Sequence, residues 1–226
     1  MTHPTFTTTA KGLRGLLAPV IPFADKGDSL PVLQAILLRG HGDYVTALAT
    51  DRYRLGIQRA KVTAPETLHA IVPLTTVRQV LAIFKASRSH DPELTLTFEP
   101  HKVTVDTTGG MDLLDARISF PLLDAEYPKA LKTIREAAAV TATEPVGEIG
   151  FNPTFLADFR HVATSAEPMV MRIVGANRAA IVSIGEDFRG VIMPTRRADE
   201  HAMTTGLDGS WAALVAEAAP VEAVAS

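Results

Sequence analysis

The sequence predicts an α+β fold built from one unit used three times: an extended segment, an amphipathic helix, then turn-separated strands, in the order β-α-β-β-β. Two periodicities carry that reading. Apolar residues recur every three or four positions in three short stretches, and they alternate with polar residues in most segments between them. The third observation is punctuation. Gly, Asp and Asn fall where a strand must reverse, at Gly40-His41-Gly42-Asp43, Gly175-Ala176-Asn177 and Gly185-Glu186-Asp187.

The first unit opens on the β-branched run Thr5-Phe6-Thr7-Thr8-Thr9. A helix is expected from Lys11 to Val20, with Leu13, Leu16, Leu17 and Val20 on one stripe, followed by strands at Ala35–Leu38, Tyr44–Ala49 and Tyr53–Arg59. The second unit runs from extended Leu68–Val72 into a helix from Leu74 to about Ser87, buried through Val77, Val80, Leu81 and Phe84. Its strands are Leu94–Phe98, Val103–Val105 and Leu113–Phe120, the first two joined by Pro100-His101-Lys102. The third unit starts at Ile149-Gly150-Phe151 and caps its helix with Asn152. Pro153 takes the first helical position, where a missing N–H costs nothing, and Phe155, Phe159 and Val162 form the buried stripe. Strands follow at Met169–Val174, Ala179–Ile184 and Gly190–Met193.

These units divide the chain. Residues 1–127 are expected to form one complete domain of two units, and 148–197 a half domain of one. Between them, 128–147 is rich in Ala, Thr and charge without apolar periodicity and reads as a linker. The small, acidic, Ala-rich stretch 198–226 reads as a disordered tail, although Trp211, Leu214 and Val215 have helical spacing.

Composition excludes several classes of function. At 226 residues the chain has room for about one and a half domains. With 46% hydrophobic and 21% charged residues it is globular in character. No apolar run reaches the ~18 residues of a membrane helix; Gly15–Ala24 is short and broken by Pro19 and Pro22. The absence of cysteine removes disulfides, thiolate nucleophiles and most structural zinc sites. Met1-Thr2-His3-Pro4 has no basic segment leading into an apolar one, which points to the cytoplasm. Nucleotide-binding, dinucleotide-binding, zinc-protease and serine-hydrolase signatures are all missing. His41, Asp43 and Asp51 lie close together, but a Gly-rich turn accounts for the first two, and Glu186-Asp187 is a hairpin turn before it is a metal site. Neither enzymatic activity nor a cofactor or metal is expected.

With 22 basic and 25 acidic residues the net charge is −3, so any attraction for nucleic acid must be local. Lys11 and Arg14 lie opposite the Leu13/Leu17 stripe, Arg78 and Lys85 are seven apart and align, and Arg160 and His161 border the exposed side of the third helix. Such residues either solvate their helices or contact phosphates independently of sequence.

Five segments in order carry a resemblance. Ala49-Thr50-Asp51-Arg52-Tyr53-Arg54-Leu55, following Leu30-Pro31-Val32-Leu33, resembles the A-T-D-x-x-R-L strand pair in the middle domain of the bacterial β sliding clamp, the polymerase III processivity factor. Val72-Pro73, Glu126-Tyr127-Pro128, Phe151-Asn152-Pro153-Thr154-Phe155-Leu156 and Val191-Ile192-Met193-Pro194-Thr195-Arg196 match in the family's order, over roughly residues 5 to 197. The resemblance implies units of the DNA-clamp type, with helices on one face and antiparallel sheets on the other, in a non-enzymatic ring around duplex DNA. Lys11, Arg14, Arg78, Lys85 and Arg160 would then face the DNA without reading its sequence. It also implies a cleft that takes short hydrophobic peptide motifs of a DNA polymerase, clamp loader or repair protein. The matching positions are Thr50, Tyr53, Arg54 and Leu55 on one side, and Val191, Met193, Pro194 and Arg196 on the other. Thr195 and Arg197 stand where the family usually carries Met and Leu, which makes the cleft more polar. The family has six units per chain, so the three here imply a homo-oligomer, four copies if twelve units close the ring. The alternative is a clamp-like interaction module that forms no ring and binds or regulates clamp partners.

Overall fold

The structure, a computed structural model, describes residues 3–27, 30–62, 67–107, 115–140, 149–162 and 167–195, apart from the side chains of residues 130, 131 and 133. Several expectations fall outside the described residues: the strand start at Leu113, most of the linker beyond residue 140, Arg196, Arg197, and the tail with Trp211, Leu214 and Val215.

The first unit comprises β1 (Thr5–Thr9), α1 (Ala10–Leu17), β2 (Ala35–His41), β3 (Tyr44–Thr50) and β4 (Arg54–Lys61). The second comprises β5 (His69–Pro73), α2 (Leu74–Ile83), β6 (Glu93–Glu99), β7 (Lys102–Thr107) and β8 (Ala116–Pro121). After α3 (Ala130–Ala139) come α4 (Pro153–Asp158), which runs into a 3-10 turn at Phe159–His161, and β9 (Met169–Arg172), β10 (Ala180–Ile184) and β11 (Phe188–Ile192). All the pairings are antiparallel, in two sheets ordered β1-β6-β7-β8 and β5-β2-β3-β4-β11-β10-β9.

This order shows that the first two units exchange their leading strands. β1 leaves its own unit to pair with β6, and β5 leaves its own to pair with β2. In both cases the residue just before the helix lies opposite the first residue of the receiving strand, Thr9 opposite Glu93 and Pro73 opposite Ala35. The helices follow their sequence signals. Thr9 caps α1 by accepting the Gly12 N–H, and Asn152 caps α4 by accepting that of Thr154. The stripes Leu13, Leu16, Leu17 and Val20, and Val77, Val80, Leu81 and Phe84, are buried in one core shared by both sheets.

The differences from expectation have physical causes. α1 stops at Leu17, because Pro19 has no N–H to continue the ladder. α2 stops at Ile83, and beyond it Ser87 accepts the His90 N–H with its hydroxyl, a local turn that competes with the helix. The stretch read as linker contains α3. Strong helix formers and the Lys132–Glu136 pair make this helix without a broad apolar stripe, and Ile134 packs half-buried on the sheet. Ile149-Gly150-Phe151 belongs to no strand, and the outer edge of β9 has no neighbour among the described residues.

The third unit joins the first along β4 and β11, where two glycines face one another, Gly190 opposite Gly56. Each lies under an aromatic ring. A Cβ on Gly56 would come within 2.6 Å of Phe23 Cδ2, and one on Gly190 within 2.7 Å of Phe159 Cε1. Phe23 and Phe159 meet edge to face at 4.9 Å between centroids, and Phe188 packs on both. The missing side chains let this aromatic cluster sit directly on the sheet. Gly56→Ala is therefore expected to destabilise the chain by about 1–3 kcal/mol, measured as a lower urea midpoint with an unchanged m-value.

Candidate functional site

The segment from Thr50 to Leu55 is a tight turn wired by its own side chains. The Thr50 hydroxyl donates to the Arg54 carbonyl at 2.8 Å and accepts the Arg52 N–H at 3.1 Å, which holds Arg52 at φ 77°. Asp51 accepts the N–H groups of Tyr53 and Arg54 at 3.0 and 2.9 Å. It also takes Arg54 Nε at 2.8 Å. Beyond this turn Val191 pairs with Leu55, Ile192 with Arg54, and the Met193 N–H donates to the Tyr53 carbonyl at 2.8 Å.

The turn and the end of β11 enclose a cleft of about 280 Å³ lined by Thr50, Arg52, Tyr53, Arg54, Leu55, Pro128, Lys129, Val191 and Met193. Six of the eight expected positions are on its wall. Pro194, half-buried, lies just beyond it, and Arg196 is outside the described residues. Leu55 and Val191 are buried in the floor with Leu48 and Tyr127, whereas Tyr53 and Met193 stand exposed at the rim. Three lining residues lie outside the expected set, Arg52, Pro128 and Lys129. Tyr127 brings the last two there. Its hydroxyl donates toward the Ala35 and Leu48 carbonyls at 3.3 and 3.4 Å, and burial pushes its phenol well above the usual range. Glu126-Tyr127-Pro128 is visible in the sequence, where it marks only the end of a domain.

Arg54 needs a correction. Grouping it with Leu55 as a peptide-holding side chain ignores strand alternation, which sends neighbours to opposite faces. Its guanidinium is 3% exposed and engaged inside the protein: with Asp51, with Asp158 Oδ2 at 2.6 Å, and with the Pro22 carbonyl at 3.0 Å. It also lies 4.4 Å from the Phe155 ring centroid, and Phe155 in turn stacks with Tyr53. Burial alone would raise the Asp158 carboxyl, yet Arg54 and then Lys26 hold it below its ordinary 3.8.

The expected cationic residues Lys11, Arg14, Arg78, Lys85 and Arg160 are all exposed, but Lys85 lies two residues past the end of α2 and so does not share a helix face with Arg78. Arg14 spans the two neighbouring helices by donating from Nη2 to the Leu81 carbonyl at 2.8 Å. Arg160 sits in the 3-10 turn rather than in α4, its Nε 3.4 Å from His161 Nε2. Among the described residues no helix is long and apolar enough to cross a membrane, and no group of three or more His, Asp or Glu is placed to hold a metal ion. His41 ends β2 and Asp43 sits in the following turn, while Asp187 pairs with Arg59 at 2.9 Å.

Exchanged β-α-β-β-β units with a seam cleft define a clamp-type architecture. Residues 10–129 match the family described as DNA polymerase III beta subunit, central domain, and the chain belongs to this sliding-clamp family. It is 28% identical over 139 residues to the beta sliding clamp of Micrococcus luteus, covering 62% of this chain and 43% of that one. Its fold is similar to that of a DNA polymerase sliding clamp from Pseudomonas aeruginosa, with a TM-score of 0.70, 19% identity, and 85% and 66% of the two chains covered. It is also similar to the DNA polymerase III beta subunit from Thermotoga maritima, at TM-score 0.68, 16% identity, and 88% and 67% coverage. The chain spans less than half the length of the curated relative and about two thirds of these solved ones.

Arg54→Met would take the shared cation from half-buried Asp51 and buried Asp158, leaving Asp158 with the exposed Lys26, and is expected to destabilise the fold by about 3 kcal/mol, measured by urea unfolding at neutral pH. The pH dependence follows from Asp158. Its folded carboxyl titrates below 3.8, so the unfolded chain binds the proton first and the stabilisation is lost as pH falls into the acid range. Asp158→Asn is expected to flatten the decline of stability between about pH 5 and 3, read from melting temperatures across that range.

Proposed function

We propose that copies of this chain assemble into a ring around duplex DNA and tether a DNA polymerase, clamp loader or repair proteins through the cleft, with no catalysis of their own, in the cytoplasm. The observation that carries this reading is the character of the seam cleft. Leu55, Val191, Met193 and Pro128 offer an apolar floor and rim for a hydrophobic anchor. Met193 is unbranched and exposed, and so adapts to the anchor it meets. Exposed Arg52 and Lys129 supply cationic donors for peptide carbonyls or acidic flanks, the role that the sequence suggests for Arg54.

The cleft and helices α1, α2 and α4 lie on opposite faces of the seven-stranded sheet, with α3 on the cleft side through Ile134. Ala35, Leu37, Leu55 and Val191 belong to the cleft-side cluster, while Ile36, Leu38 and Ile192 belong to the helix-side core. A partner held in the cleft would therefore leave the helix face free for phosphates. Exposed Lys11, Arg14, Arg78, Lys85 and Arg160 suit loose phosphate contact that allows sliding.

Met193→Asp is expected to weaken binding of a peptide with two apolar anchors at least about tenfold while leaving the melting temperature in place. Unchanged affinity in a fluorescence titration would remove the cleft from the reading. Replacing Lys11, Arg78 and Lys85 together with Gln is expected to lower DNA association and reduce its log-log salt slope by about 0.9 for each phosphate no longer neutralised. An unaltered slope would assign these side chains to solvation.

A further inference from the structure

We propose that the third unit is completed by a second copy of this chain, each copy lending its segment 149–152 as a strand to the open edge of β9 in the other. The proposal deepens the assembly reading above and rests on it only for closure of a ring, since the pairing itself is read without DNA.

The first two units supply the rule. Neither keeps its leading strand: β1 completes the sheet of the second unit and β5 that of the first. Among the described residues the third unit has the corresponding parts without their partners. There its leading segment Ile149-Gly150-Phe151 joins no strand, and β9, the counterpart of the receiving strands β2 and β6, ends the seven-stranded sheet. The exposure pattern agrees. Ala35, Ile36, Leu37 and Leu38 in β2 and Leu94, Leu96 and Phe98 in β6 are buried, whereas Met169 and Val170 in β9 are 45% and 59% exposed. The helix side is likewise unfinished. α1 and α2 lie side by side with their stripes buried, yet Phe155, Leu156 and Val162 stay only partly buried. An open apolar edge beside a half-covered helix is the kind of surface that proteins otherwise cover or charge.

The occupant follows from the same rule. In the first two units a leading strand joins the other unit and not its own, so by the same rule the donor is the leading segment of a second copy's third unit. Donor and acceptor are present on every copy, which makes the contact self-complementary about a two-fold axis. Residues 196–226 offer no such strand in their sequence: they carry nine alanines and Pro220, without the alternation a strand needs. The register also transfers. The residue before the helix lies opposite the first residue of the receiving strand, so Asn152 is expected opposite Met169, Phe151 opposite Val170, Gly150 opposite Met171 and Ile149 opposite Arg172.

The chain has no cysteine, so single-cysteine proteins report the contact directly. Phe151→Cys protein mixed with Val170→Cys protein under mild oxidation is expected to give a covalent dimer that neither gives alone. Ile149→Cys mixed with Arg172→Cys is a second pair, should removal of the Phe151 ring disturb folding. By light scattering at micromolar concentration without DNA, the wild-type chain is expected to be a dimer or an even multiple. Val170→Lys, at an exposed position, is expected to halve that mass with the circular dichroism spectrum unchanged. A wild-type monomer, a mass that Val170→Lys does not change, or mixtures that never cross-link would each overturn the proposal. A dimer that cross-links but fails to load on circular DNA would count against the ring alone.

Discussion

One buried cation organises the junction of the first and third units. The Arg54 guanidinium reaches in three directions at once: back to the Asp51 turn, across to Asp158 at the end of α4, and down to the Pro22 carbonyl. Asp158 and Pro22 lie 104 and 32 positions from Arg54, so these contacts close loops that local structure would leave open. Removing a guanidinium from water is costly, and two carboxylates, a carbonyl and the faces of Phe155 and Phe23 together offset the loss. A lysine would meet one of these partners as a point charge, whereas the planar fork meets several in fixed directions. The T-D-x-x-R spacing thus has a structural reason: Thr50 and Asp51 shape the turn that delivers Arg54 to the far side of the sheet.

That side of the sheet explains the other. Strand alternation means that fixing Arg54 and Ile192 in the helix-side core also fixes Leu55 and Val191 in the cleft floor. The glycine pair Gly56 and Gly190 brings Phe23 and Phe159 down onto the ladder, so the two units meet as one continuous sheet rather than as touching domains. Tyr127 completes the arrangement from the opposite direction, holding the chain so that Pro128 and Lys129 form a third wall. The cleft is therefore a consequence of how the seam is built, and its rim residues Tyr53 and Met193 are free to vary in contact because the floor beneath them is not.

What the sequence shows, and what it hides, follows from the range of the interactions. Period and capping are local, so the two helical stripes, the Asn152-Pro153 helix start and most strands are legible. The ends of α1 and α2 are less so, because Pro19 and the Ser87–His90 turn act within a few residues of an otherwise continuous apolar pattern. α3 escapes a reading by period since its signal is intrinsic propensity in an alanine-rich stretch, not an apolar stripe. Leu55, Val191 and Met193 emerge through the family motif, which carries no statement of which face each residue takes. Alternation, legible in the same residues, is what separates Arg54 from Leu55. Asp158, its long-range partner, has no signal of its own: an acidic residue at the end of a short helix reads as ordinary surface until the fold brings an arginine 104 positions away within 2.6 Å.

The same distinction resolves the charge of the molecule. A net charge of −3 counts every acid equally, but the acids are unequally placed. Asp51 and Asp158 are engaged by Arg54, Asp187 by Arg59 and Asp106 by Arg117, and Asp91 accepts the Lys11 backbone N–H. Field at a surface is set by charges within about a Debye length, about 10 Å at 0.1 M salt, not by the sum over the chain. Exposed Lys11 and Arg78 on helices, Lys85 just past α2 and Arg160 in the 3-10 turn therefore carry local positive charge even though acids outnumber bases overall. The pairs of Arg54 with Asp51 and Asp158 hold the sheet seam and set two acids against a buried cation, so interactions that stabilise the fold also redistribute its charge.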